Sequence, residues 1–319
     1  MKLSSIFKYA AVAGVMATAT QANAGISTTA YLELNNLFVQ IDTDGDKVAD
    51  QVNPASFINL LGGTRETSAF TDYNGVSDSS SDSQGSPAAN SDTALICQGL
   101  SCGVLGLTEN GQTLDGGSLV QSDAFHFAAS DALVEGNALG NGASGFTYAE
   151  ASIASGYNES AASNSNIANS IVNMITFSTG STINLRFTAL MDYLVDAVIS
   201  ADLANDNTRF ATASAKATFG IGLVDFSDGS QVDIDGATGR TFNDIAFDAP
   251  GLGNLLSVSG NDVGFESGWA TLEAGMYQLT ITQSSTVQAT LVPAPASLAF
   301  TAFGLLGLGL TARRRSAKK

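Results

Sequence analysis

The sequence predicts a mostly β fold, in the form of an antiparallel β-sandwich or a jelly-roll-like body with long polar loops. Three observations favour this class. Apolar and polar residues alternate in several short segments, which is the period of a strand with one buried face. Asn-Gly and Asp-Gly pairs, which are typical of hairpin turns, separate these segments. No long stretch alternates strands with helices, as a parallel α/β sheet would require.

The predicted strands follow one another through the central part of the chain. Ile183, Leu185 and Phe187 share one face of a strand, and Tyr277, Leu279 and Ile281 repeat this pattern near the end of the body. The strand candidates cover residues 31–34, 37–41, 182–187, 219–224 and 277–282. The predicted turns are Asn74-Gly75, Asp228-Gly229 and Asp235-Gly236.

Three segments depart from this alternation. Residues 72–92 are rich in Ser, Asp and Gly and are predicted to form a mobile loop. Residues 157–169 are rich in Asn, Ser and Ala and are predicted to be a loop or a weak helix. Residues 189–204 fit either a helix or a strand, and their β-rich surroundings favour the strand.

The N-terminal 24 residues have the pattern of a secretory signal peptide. Lys2 and Lys8 give a positive start, and residues 9–19 form an apolar stretch that is short for a bilayer-spanning helix. Ala22 and Ala24 then supply the small-x-small pattern that signal peptidase accepts. This order of features favours a signal peptide over a buried helix and predicts a mature chain that begins at Gly25.

The C-terminal segment, residues 293–319, has the pattern of a membrane tail. A proline-containing motif is followed by 17 mostly apolar residues, 296–312, which as a helix would extend about 25 Å, near the lower limit for crossing a hydrocarbon core. The basic tail, residues 313–319, would hold this end in the cytoplasm. The residues of the motif and of the arginine cluster are Val292, Pro293, Ala294, Pro295, Arg313, Arg314 and Arg315.

This tail resembles the PEP-CTERM sorting signal. Pro293 and Pro295 match the V-P-E-P motif of that family, whereas Ala294 replaces its glutamate. The resemblance implies processing by exosortase, a membrane-embedded cysteine peptidase or transpeptidase-like enzyme, in a Gram-negative host that makes exopolysaccharide or biofilm. It also implies that residues 288–292 form an exposed tether on which that enzyme acts.

The charge of the body, residues 25–292, argues against nucleic-acid binding. Seven of the 13 Lys and Arg lie in the two terminal segments, whereas all 30 Asp and Glu lie in the body, which therefore has a formal charge of −24. Such a surface repels phosphate polymers and anionic lipid and is compatible with divalent cations.

Two cysteines occur, Cys97 and Cys102. In an exported chain, a close pair favours a disulfide, which would stabilise by about 2 kcal/mol for so short a loop. Two unpaired thiols, or a metal or redox role, are the alternatives; the spacing is not C-x-x-C.

The segment with the clearest pattern for a bound ligand is the acidic segment of residues 42–50. Oxygen ligands at alternate positions fit a calcium ion, which takes six to eight oxygens. The spacing resembles a thrombospondin-type-3 or dockerin-like calcium loop. The alternative is an acidic hairpin that turns at Asp44-Gly45, with residues 47–52 as its second strand. The calcium ligands would be Asp42, Asp44, Asp46, the backbone carbonyl of Val48, and Asp50.

No motif in the body indicates catalysis. His126, the one histidine, lies between Phe125 and Phe127 and is expected to face away from both. No G-x-S-x-G accompanies it, although this does not exclude a Ser-His-Asp triad. Trp269, the one tryptophan, is either a packing residue or a platform for a sugar ring.

The sequence therefore predicts an exported, non-enzymatic surface or matrix-associated protein. Signal peptidase and exosortase would process it, the tail would insert transiently in the inner membrane, and the body would associate with extracellular polysaccharide, with or without calcium. The alternatives are an adhesin resembling a carbohydrate-binding module and an extracellular hydrolase.

Overall fold

The computed structural model confirms the mostly β prediction and shows two antiparallel sheets packed face to face. The structure describes residues 25–50, 54–86, 89–112, 125–139, 142–154, 159–175, 182–200, 203, 209–234, 245–249 and 255–293. The predicted signal peptide and the predicted membrane tail, apart from Pro293, lie outside these ranges.

Within the described ranges, sheet A has eight strands. They are β1 (Gly25–Asp42), β4 (Ser91–Asp92), β5 (Ile96–Gln98), β6 (Phe127–Asn137), β7 (Gly142–Ala154), β9 (Thr182–Ile199), β13 (Leu255–Glu266) and β14 (Ala270–Glu273). The order is β13-β9-β1-β7-β6-β4, with β14 paired to β9 and β5 paired to β6.

In the same part of the chain, sheet B has seven strands. They are β2 (Ile58–Tyr73), β3 (Val76–Gln84), β8 (Glu159–Ile175), β10 (Arg209–Asp225), β11 (Gln231–Val232), β12 (Ile245–Ala249) and β15 (Gly275–Pro293). The order is β11-β10-β15-β8-β2-β3, with β12 paired to β10. A 3-10 turn, Pro54–Ser56, precedes β2.

The alternation of apolar residues correctly predicts which faces meet in the core. Ile183, Leu185 and Phe187 of sheet A are at most 3% exposed. The apolar side chains at positions 277, 279 and 281, which belong to sheet B, are also buried. The first two predicted strands form a single strand, because β1 continues through a bulge at Asn35 and Asn36 in its pairing with β7. Apolar burial of this kind is the main force that holds two sheets together.

The predicted loop at residues 72–92 is wrong, because most of it is strand. β2 and β3 form a hairpin whose turn, Asn74-Gly75, has positive φ at both residues, as predicted for this pair. Most β3 side chains are exposed on both faces, so its sequence has no apolar alternation to reveal the strand. Asp228-Gly229 also lies in a turn, between β10 and β11, and Asp235-Gly236 lies outside the described ranges.

The loop or weak helix predicted at residues 157–169 is also wrong, because residues 159–175 form β8. This strand lies between β15 and β2, and its inward positions in the first half carry small side chains, namely Ala161, Ser163 and Ser165. Small residues fill a closely packed space between sheets without the apolar pattern of a strand. The strand favoured for residues 189–204 is confirmed over residues 189–199, which belong to β9.

A buried arginine joins the two sheets. Arg65 on β2 is 0% exposed and donates to the carbonyl of Ala89 at 2.7 Å and to that of Gly136 at 2.8 Å. Gly136 belongs to sheet A, so this side chain fixes the edge where β3 and β4 approach each other. A second side chain also joins the two sheets: the amide of Gln283 in β15 donates to the carbonyl of Leu32 in β1.

The exposed tether predicted at residues 288–292 is wrong, because β15 continues to Pro293 and is an inner strand of sheet B. It pairs with β10 up to Pro293 and with β8 up to Leu291. Val287, Ala289 and Leu291 are at most 1% exposed. The proline motif therefore begins inside a sheet, with Val292 and Pro293 as its last two residues.

The first residue of β1 and the last residue of β15 lie at the same end of the sandwich. The side chain of Gln283 in β15 bonds to the carbonyl of Leu32 in β1. Further along, Ser163 bonds to the carbonyl of Glu150. These two residues are the strand partners of Val287 in β15 and of Thr29 in β1. Moving along β1 toward its start therefore corresponds to moving along β15 toward its end. We call this the terminal end; the opposite end lies about 60 Å away, the length of a 19-residue strand.

Candidate functional site

The acidic segment closes the opposite end of the sandwich as a compact loop. Asp42 is 0% exposed, and its carboxylate accepts the backbone N–H groups of Asp44, Gly45 and Lys47 at 2.8–3.1 Å, together with the side-chain amide of Asn184 at 2.8 Å. Although burial acts to raise it, these donors lower the pKa of Asp42 to about 2.

The remaining carboxylates of this loop also accept its own backbone groups. Asp44 accepts the N–H of Asp46, Asp46 accepts that of Val48, and Asp50 accepts both donors of Thr43. Ligand atoms of Asp42, Asp44 and Asp46 lie within 4.8 Å of one another. The hairpin alternative is not seen over residues 47–50, which contain no strand, and residues 51–53 are outside the described ranges.

Asp42 and Asp44 are expected to respond differently to substitution. Asp42→Ala removes the acceptor of four donors and should lower the thermal unfolding midpoint by several degrees. Asp44→Ala should change it little: the Asp46 N–H lowers the pKa of Asp44, but repulsion from Asp46 and Asp50 raises it overall. The measurement is thermal unfolding of both variants in excess EDTA and in millimolar calcium. If both variants were equally destabilised relative to wild type in calcium, and this difference from wild type disappeared in EDTA, a bound cation would hold the loop instead.

Two further groups of acidic residues lie at the same end as this loop. Asp225 and Asp228 bracket the turn after β10, where each accepts the N–H of a serine two residues later. The backbone N–H of Phe226 in this turn donates to the carbonyl of Met276, at the start of β15. Glu273 pairs with Thr182, two residues from the Asn184 that contacts Asp42. We call this the acidic end of the sandwich.

The predicted disulfide is present. Cys97 and Cys102 are bonded, with their Cα atoms 5.7 Å apart. Residues 95–107 around this bond pack on the outer face of sheet A, against the aromatic rings of Tyr31, Phe127 and Tyr148. This cover buries part of the outer face of sheet A, whereas antiparallel sheets commonly leave that face to solvent.

A buried carboxylate lies on the same sheet, in contact with residue 110. Asp131 on β6 is 0% exposed; one of its oxygens accepts the N–H of Asn110 at 2.9 Å, and the other has no hydrogen-bond partner. Burial, with repulsion from Asp92 and Glu109, raises the pKa of Asp131 to about 7. Nothing in the alternation of its segment, which is rich in Ala and Ser, indicated that this aspartate would be buried.

His126 joins the two sheets at the terminal end. Its Nδ1 atom lies 3.0 Å from Glu159 and 3.2 Å from the hydroxyl of Tyr73, both of sheet B. Burial, followed by the charge of Glu159, raises the pKa of Tyr73 to about 12. Ser101 bonds to the backbone N–H of His126 and not to its ring. The imidazole ring thus contacts a tyrosine and a glutamate of the opposite sheet, and this arrangement indicates a structural role in holding the two sheets together.

Trp269 forms part of a side-chain cluster near the acidic end. The guanidinium of Arg186 lies 4.6 Å from the centre of the indole ring, and it also contacts Gln40 and Glu266. One ring face is therefore covered by a cation–π contact, which favours the packing interpretation of this tryptophan over the sugar platform.

Comparison with known proteins adds no assignment. No protein-family profile and no curated protein matches the chain. One similar solved structure is a chain of the T=1 particles derived from infectious bursal virus, with 12% identity over 91% of this chain and 85% of that one. Its TM-score is 0.10, which is too low for any inference about fold or function. Over the ranges given above, the structure has no helix that is long and apolar enough to cross a membrane.

Proposed function

We propose that this chain is an exported surface or matrix-associated protein. Residues 1–24 direct export, and residues 293–319 hold the chain in the inner membrane until an exosortase processes it. The body then associates with extracellular polysaccharide. The proposal includes cleavage by signal peptidase after Ala24. It also includes the proline motif and the arginine cluster as parts of the sorting signal.

The observation that supports this most directly is the position of the two chain ends. Gly25 begins β1 and Pro293 ends β15 at the same end of the sandwich. Both terminal segments therefore join the body at this end, where a tail in the membrane can hold it. The acidic end lies about 60 Å away. A body anchored through residues 296–312 would thus direct its acidic end away from an anionic membrane surface. The disulfide fits an oxidising compartment outside the cytoplasm.

Fractionation in a host with and without its exosortase tests this proposal. We expect the wild-type chain in the surface or medium fraction when the enzyme is present, and in the inner membrane when it is absent. A variant in which Arg313, Arg314 and Arg315 are replaced by Ala should lose efficient processing while the body folds normally. A wild-type chain found in the cytosol, or equal surface levels in both hosts, would contradict the proposal.

A further inference from the structure

The outer face of sheet B is an almost uncharged surface on a strongly acidic protein. Four ranks of five outward-facing residues cross strands β10, β15, β8, β2 and β3, and only three of these twenty residues are charged. The ranks are Ser214–Gln288–Ala162–Asp72–Ser77, Lys216–Thr286–Asn164–Phe70–Ser79, Thr218–Ser284–Asn166–Ser68–Ser81 and Gly220–Thr282–Ala168–Glu66–Ser83. We call this the neutral face.

Strand stability does not explain the composition of this face. Threonine favours strands, but asparagine and aspartate are depleted there. β3 consists mostly of Ser and Asp, and Ser and Asn make up 8 of the 17 residues of β8. The residues form a hydrogen-bonding array instead. Thr218 and Ser284 share a hydrogen bond of 2.7 Å, and Asn166 donates to Ser68 at 3.5 Å. Departure from local propensity without a gain in packing points to a functional surface.

A groove crosses the neutral face over β8, β2 and β3. Its volume is about 320 Å³, at the lower end of the range for small-ligand pockets. Glu66, Ser68, Ser81, Asp82 and Asn166 are among the residues that line it, so hydroxyl, amide and carboxylate groups converge there. Phe70, which is 42% exposed, lies on the next rank beside the groove. An exposed aromatic ring next to several hydrogen-bonding groups fits the apolar face and hydroxyl rim of a sugar ring.

We propose that the neutral face binds an uncharged polysaccharide chain, with the groove and Phe70 as its centre. The charge distribution decides the class of polymer. An anionic polymer would meet Glu66 and Asp72 on this face and a body of charge −24, whereas a cationic polymer would be drawn to the acidic end. A second copy of the chain is disfavoured, because this face offers little apolar area. This inference rests on the proposed function and names the surface that performs it.

Affinity electrophoresis of the full-length chain in nonionic detergent tests the inference. The gels contain hydroxyethyl cellulose as the uncharged polymer or alginate as the anionic one. We expect hydroxyethyl cellulose to retard the wild-type chain and alginate to leave its mobility unchanged. Phe70→Ala and Asn166→Ala should each weaken retardation about tenfold, the loss of one good contact. Phe226→Ala, which removes an exposed phenylalanine at the acidic end, should bind as wild type.

Three outcomes would overturn the inference: no retardation by hydroxyethyl cellulose, retardation by alginate instead, or equal effects of Phe70→Ala and Phe226→Ala. Circular dichroism and thermal unfolding establish that each variant is folded, since all three side chains are outward or exposed. The assay requires no host processing. Absence of binding would therefore leave the export proposal standing, and failure of processing in the host would leave the binding result standing.

Discussion

A chain that ends after residue 286 is expected to be unfolded, whereas one that ends after Pro293 should melt as a folded body. The shorter chain loses the last seven residues of β15 and their backbone hydrogen bonds to β10 and β8. It also loses the buried side chains of Val287, Ala289 and Leu291. Burial of Val and Leu contributes about 1.5–3 kcal/mol each, and cavities and unpaired strands on both sides add to the loss. The sum approaches the whole stability of a typical domain, about 5–15 kcal/mol.

The measurement is circular dichroism and limited proteolysis of residues 25–286 and 25–293, expressed without the terminal segments. A cooperative unfolding transition in the shorter chain would show that β15 does not hold sheet B together. The expected result also bears on processing: a cut that leaves the body intact must lie at or beyond Pro293, where the strand ends.

Asp131→Asn is expected to stabilise the protein at pH 8 by as much as about 4 kcal/mol. The pKa of this buried carboxyl is about 7 in the folded protein, against an ordinary value of 3.8. The stabilising contribution is therefore fully present below pH 3.8 and is lost as the pH rises through about 7. At pH 8 the folded protein must bury the charge, and the asparagine removes this cost while it still accepts the N–H of Asn110.

The test is urea unfolding of wild type and Asp131→Asn at pH 4, 6 and 8, with Glu135→Gln as the control. Glu135 is exposed on the same strand, so this control makes the same change in net charge at the surface. The difference between Asp131→Asn and wild type should be small at pH 4 and grow toward pH 8. A difference independent of pH, or one matched by Glu135→Gln, would show that Asp131 is not buried as a costly charge.

Alternation predicted those strands in which one face is apolar and the other is polar. It succeeded for Ile183, Leu185 and Phe187, because the sheet-to-sheet core buries one side only of that stretch. It failed for β3, which is mostly exposed on both faces, and for β8, whose inward residues are small. β8 is held by β15 and β2, which are distant in the sequence, whereas β3 pairs with β2 through the two-residue turn at Asn74-Gly75.

The candidate site was predictable only where its residues are close in the sequence. The Cys97–Cys102 bond and the acidic loop each span fewer than ten residues, so spacing alone indicated them. The contacts of His126 depend on how the two sheets meet. They join it to Tyr73, which is 53 positions away in the sequence, and to Glu159, which is 33 positions away. The neutral face arises from five strands, and its ranks become visible only when the register is known.

The central claim is that the body is released whole from a membrane tail at its terminal end, and intact-mass measurement of the protein recovered from the cell surface or medium tests it most directly. The account predicts a chain that begins at Gly25, contains Pro293, and lacks Arg313 to Lys319. A surface or medium form that retains residues 313–319, or one that has been cut within β15, would contradict it.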